Sequence, residues 1–132
     1  MTINEQKKLQ QKKNGGKAAI SEHDLQVACV QWFRFSYPRE IIMSIPNGGY
    51  RSPKTAAAMK AEGQLAGVPD LFIPTANNQY HGLWIEMKNG KAGRLSEYQK
   101  QMHETLRNHG YAVETCRDAV QFREIISNYL KQ

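Results

Sequence analysis

Apolar and polar positions change period several times along the chain, and each change marks an element. Ser21 followed three residues later by Asp24 reads as a helix start, and Leu25, Ala28, Cys29 and Trp32 keep a helical stripe. That helix is expected to end near Ser36, before Pro38. Residues 40–45 read as a first strand, broken by Pro46, Asn47, Gly48 and Gly49. Ser52 and Pro53 form a cap and first-turn pair for an alanine-rich helix that Gly63 stops. Leu71, Phe72 and Ile73 make a short buried strand closed by Pro74, and a polar, glycine-punctuated connection leads to alternating positions from Leu83 to Lys88. Ser96 caps a helix running to about His109, with Tyr98, Met102, Thr105 and Leu106 expected inward. Residues 111–115 form a last strand. A closing helix follows over 119–130, with Val120, Phe122, Ile125, Ile126 and Tyr129 as its apolar side. The order αβαββαβα predicts an α/β fold: a mixed four-stranded sheet flanked by helices, strands two and three forming a hairpin, and the last strand delivered in parallel by a right-handed crossover.

Size and charge narrow this picture. A chain of 132 residues fits one domain, taken as 18–132, preceded by a basic and flexible tail over 1–17. The tail carries five lysines against one glutamate, so four units of the net +6 charge lie there and two in the rest. Such an arm can hold phosphates through counterion release, or it is a solvated tail that aids solubility. Cys29 and Cys116 lie far apart in apolar surroundings without metal-ligand spacing and read as reduced, buried thiols. His23, His81, His103 and His109 make no paired ligand motif; each reads as structural or solvent-facing. With no long apolar run and no signal-peptide core, the expectation is an intracellular, cytoplasmic protein with no membrane contact.

The chemistry concentrates on Asp70, Glu86 and Lys88. Side chains alternate along a strand, so Glu86 and Lys88 share one face while Leu83, Ile85 and Met87 share the other. If the two central strands pair, the Asp70 and Glu86 carboxylates come within reach of one cation. Two carboxylates, waters and a phosphate oxygen suit Mg²⁺ or Mn²⁺, which activates water and offsets charge on a phosphate; Lys88 beside it adds to both effects. The plain alternative is that Asp70 starts a strand after a turn while Glu86 and Lys88 form an exposed ion pair. Glu22, in the first helical turn, serves the site as a further ligand or by orienting a water, unless it is there because acids favour helix N-termini. Asn47 and Arg51 line a DNA groove or belong to a structural turn. Lys54 and Lys60 are phosphate contacts or solvated lysines. Lys91 and Arg94 sit in a basic, flexible loop beside the proposed cation, where DNA contact is the favoured role.

These motifs together resemble the virus-type replication-repair nuclease (VRR-NUC) domain, a branch of the PD-(D/E)xK superfamily. The resemblance is carried by Ile45-Pro46-Asn47-Gly48-Gly49, Glu62-Gly63, Ala66-Gly67-Val68-Pro69-Asp70, Ile85-Glu86-Met87-Lys88 and Ser96-x-x-Gln99, and runs from about Ser21 to Phe122. It implies a restriction-endonuclease-like fold, an αβββαβ core with one inserted helix. It also implies a metal-dependent DNA nuclease with Asp70 and Glu86 as ligands and Lys88 as catalytic lysine. The family's first-helix glutamate falls on Glu22, with Gln26 one turn later, and its glutamine after the lysine falls on Gln99. Stand-alone members resemble Holliday-junction resolvases of DNA repair and act as homodimers. Nucleases for flap, nicked or linear DNA, and a non-catalytic nucleic-acid-binding module, are the alternatives; two acids facing a polyanion argue against the last.

Overall fold

The computed structural model of the protein describes residues 2–4, 20–46 and 51–131. Among them lie helix α1 (Glu22–Ser36), strand β1 (Met43–Ser44), helix α2 (Pro53–Ala61), strands β2 (Leu71–Ile73) and β3 (Leu83–Met87), helix α3 (Glu97–Asn108), strand β4 (Ala112–Cys116) and helix α4 (Ala119–Leu130). The sheet order is β1-β2-β3-β4. The first two pairings are antiparallel and β3 runs parallel to β4. This is the expected architecture, with the helix between β3 and β4 making the connection that a parallel pair requires.

Local signals set the helix starts. Ser21 Oγ accepts from the Asp24 N–H (3.0 Å) and Ser52 Oγ from the Thr55 N–H (3.2 Å). Ser96 and Gln99 form a reciprocal capping box: Ser96 Oγ accepts from the Gln99 N–H (3.2 Å), and Gln99 Oε1 accepts from the Ser96 N–H (2.9 Å). Asp118 caps α4.

One core lies between the sheet and the pair α1 and α4, built from Leu25, Cys29 and Phe33, then Leu71, Ile73, Leu83, Ile85 and Met87, then Phe122 and Ile126. The buried stripe of α1 is thus Leu25, Cys29 and Phe33, while Ala28 faces solvent and Trp32 packs edge-on against Phe122 and Tyr37. Cys29 and Cys116 meet in this core as free thiols, and the shared hydrogen bond and burial push the Cys116 thiol far above its ordinary range.

Four expectations need correction. The first strand shrinks from 40–45 to two residues, because Ile41 and Met43 are exposed at the sheet edge and only Ile42 finds the core. Tyr98 and Thr105 on α3 point outward; the buried residue of that helix is His103. On α4, Val120 is exposed. The loop over 89–94 is tied down: Arg117 Nη1 donates to the carbonyls of Gly90 (2.8 Å) and Gly93 (2.5 Å).

Candidate metal-binding and nuclease site

Asp70 is fixed from both sides. Its carbonyl accepts from the Ile45 N–H (2.8 Å), next to β1, and its Oδ2 accepts from the Met87 N–H (2.7 Å) at the end of β3. Gly67 prepares this placement. It has φ +84°, and a Cβ there would stand 2.4 Å from the Tyr98 carbonyl oxygen, so only glycine lets the segment before Asp70 close against the first turn of α3.

In the β2–β3 register Leu71 faces Ile85, and one further step sets Asp70 opposite Glu86. Directly opposed side chains stand on one face, where like charges repel. Glu86 is only 2% exposed, which removes the exposed ion pair as an account of it. The Lys88 N–H donates to the Cys116 carbonyl (2.9 Å), extending the β3–β4 ladder past Met87 and keeping Lys88 on the face of Glu86.

The electrostatics follow from burial and crowding. Asp70 is pushed up to about 7, first by burial, then by hydrogen bonding and repulsion from Glu86, with the Met87 N–H and Lys88 opposing. Burial also raises Glu86, against the hydrogen bond from Asp70 and the charge of Lys88. Glu22 is raised by burial and by Asp70. Raised carboxyl pKa values mean that bound protons relieve part of this crowding near neutral pH. A hard divalent cation would relieve the rest.

Glu22, Asp70, Glu86 and Gln99 line one cleft of about 270 Å³, together with Gly67 and the α3 first turn. Among the described residues no group of three or more His, Cys, Asp or Glu side chains is disposed to hold a metal, and Glu22 borders the cleft beside the Asp70 and Glu86 pair. It reaches the cleft from the first turn of α1, while the strand pair brings Asp70 and Glu86 together. A donor set of two carboxylates fits an ion that keeps most of its waters, as Mg²⁺ does. Gln99 borders the cleft, but its Oε1 is engaged in the capping box.

The expected DNA contacts fare unevenly. Lys54, Lys60, Lys91 and Arg94 are exposed. The Arg51 guanidinium instead contacts Met59 Sδ and Gln64 Oε1 (3.3 Å), bracing the segment before α2. Asn47 lies outside the described residues.

Sequence reasoning missed His103. It is 1% exposed, and its Nε2 stands 3.4 Å from Glu86 Oε1. Burial, Arg107 and Lys88 hold its pKa below the usual histidine range against Asp70, which favours the neutral ring. A signal existed: Gln99 and His103 are four apart and share a helix face.

The VRR-NUC domain family matches residues 7–119. The chain belongs to this family. The match begins inside the stretch set apart as a tail and covers every residue of the site. A solved structure described as a VRR_NUC domain protein is 28% identical, with a TM-score of 0.72, over 85% of this chain and 89% of that one. Another, described as a VRR_NUC domain, shares the fold at 20% identity and a TM-score of 0.56, over 82% of this chain and 96% of that one. No curated protein matches the chain. VRR-NUC membership makes this a nuclease-type domain with the four-stranded mixed sheet described above. No helix among the described residues is long and apolar enough to cross a membrane.

Proposed function

We propose that the chain is a Mg²⁺- or Mn²⁺-dependent deoxyribonuclease that hydrolyses phosphodiester bonds, selecting branched DNA such as four-way junctions and working as a homodimer. The observation that carries this reading is the directly opposed pair Asp70, partly buried, and Glu86, buried, with Lys88 two residues beyond Glu86 as nearby cation.

Asp70 and Glu86 would hold the cation, which when bound supplies Lewis-acid activation of water and charge neutralisation at the phosphate. Lys88 donates to the phosphate oxygen on which charge develops. Glu22, at the rim, accepts a hydrogen bond from the attacking water and orients it. Gln99 shapes the cleft through the capping box that fixes the start of α3. Lys54, Lys60, Lys91 and Arg94, all exposed, hold flanking phosphates.

Dimerisation rests on a narrow basis at the end of α1. Phe33 is buried and Trp32 and Tyr37 pack within the chain, which leaves Phe35, 88% exposed, for a subunit contact. Equilibrium sedimentation tests that part.

The function is tested by cleavage of a labelled four-way junction, splayed arm, flap and plain duplex, with and without added divalent ion. Cutting of the junction that needs the ion, and its loss with retained binding in Lys88→Ala, is the expected result. Cutting of flap or linear DNA alone would keep the chemistry and replace the substrate. Binding without any cutting would make the domain a non-catalytic module.

A further inference from the structure

We infer that His103 is a positioning residue for the cation site, fixing which oxygen of Glu86 faces Asp70; the inference rests on the proposed nuclease reading. Glu86 lies between two partners. Asp70 contacts it across the β2–β3 pair, and His103 reaches it from α3 with Nε2 at 3.4 Å from Oε1. Both Glu86 and His103 are almost wholly shielded from water, so neither can exchange its partner for solvent.

The hydrogen-bond inventory assigns the tautomer. His103 Nδ1 is buried with no partner. With the proton on Nε2, the ring donates to Glu86 Oε1 and leaves only an unpaired acceptor at Nδ1. With the proton on Nδ1, a buried N–H would lack a partner and a nitrogen lone pair would face a carboxylate oxygen. The first arrangement is the cheaper one. At 3.4 Å the contact is longer than an ordinary N–H···O bond, but both groups are enclosed, so the ring still holds that edge of the carboxylate in one orientation. His103 thereby restricts rotation of the Glu86 carboxylate. Partners one layer behind a ligand commonly raise affinity in this way.

Helix α3 then frames the site at two levels one turn apart. Its first turn closes against Gly67, and its second braces Glu86 from behind.

The test is calorimetric titration of Mn²⁺ into the full chain without DNA, for wild type, Asp70→Ala, His103→Leu, His103→Asn and His103→Gln, with thermal unfolding of each metal-free protein as a check on folding. Wild type is expected to bind and Asp70→Ala to fail. His103→Leu should weaken Mn²⁺ binding about 10- to 100-fold. Gln, whose amide nitrogen reaches about as far as Nε2, should retain affinity within roughly threefold, and the shorter Asn should not. If His103→Leu does not fold, the Asn and Gln pair decides. Wild-type affinity in His103→Leu, or equal affinity in Asn and Gln, would overturn the positioning role and leave the cation site standing. Absence of Mn²⁺ uptake by wild type would remove the cation site itself.

Discussion

Two hollows of similar size lie in different parts of the domain, and their polar groups behave oppositely. In the one of about 300 Å³, the side chains of Asn77 and Tyr129 are satisfied within the chain. Asn77 Oδ1 accepts from the N–H groups of Gln79 (2.9 Å) and Tyr80 (2.8 Å), and its Nδ2 donates to the Tyr129 carbonyl (3.1 Å). The Tyr129 hydroxyl donates to the Thr75 carbonyl (2.6 Å), and Thr75 Oγ1 donates to Glu40. The cleft of about 270 Å³ at Asp70 and Glu86 sets carboxylates against each other, with Lys88 as the nearby cation. The first arrangement closes a loop over the end of the sheet. The second stores repulsion that only an added cation or a proton removes. A polar cluster whose groups satisfy one another is architecture, whereas one left with excess like charge is a site awaiting a partner.

The contrast breaks most sharply at Lys88. Lys88→Ala should lower single-turnover cleavage by about 10²- to 10³-fold while DNA binding, read by fluorescence anisotropy, changes little. Equal cutting would remove that lysine from the chemistry. Gly67→Ala comes next. With φ +84° and no room beside Tyr98, it should cost about 2–3 kcal/mol in denaturant unfolding, because either the backbone or the start of α3 must shift.

A third expectation sharpens the electrostatic half of the comparison. The Asp70 pKa is raised from 3.8 to about 7, so between those values the folded chain binds more protons than the unfolded one. The contribution of Asp70 to the stability of the metal-free protein should therefore be fully present below that window and be lost as pH rises through it. Asp70→Asn should flatten the slope and, by unfolding at pH 8 without metal, gain on the order of 1 kcal/mol while abolishing cleavage. A contribution of opposite sign would mean that the Met87 N–H and Lys88 outweigh burial and Glu86 at Asp70. The smallest effect belongs to the satisfied hollow: Tyr129→Phe should cost about 1 kcal/mol of stability and leave cleavage unchanged.

Much of this was legible because it is local. Serines at positions 21, 52 and 96 cap helices as their neighbours predict, and the paired central strands follow from two apolar runs and a polar connection. Asp70 and Glu86 could be set together in advance because strand alternation and hairpin pairing are regular. What escaped depends on distant parts of the chain. Arg117 pins the basic loop from 24 residues beyond Gly93, and the two cysteines meet only when α1 lies on the sheet. His103 was passed over because a lone histidine on a polar helix carries no motif, although its spacing from Gln99 placed it on the informative face. The edge strand was drawn too long because Ile41 and Met43 look like strand residues but have no layer to cover them.

The most direct measurement is an anomalous difference map from a crystal of this protein soaked in Mn²⁺. A peak about 2 Å from carboxylate oxygens of both Asp70 and Glu86 is the result this account predicts. A fully occupied Mn²⁺ peak elsewhere, with the two side chains still hydrogen-bonded to each other and no density between them, would contradict it.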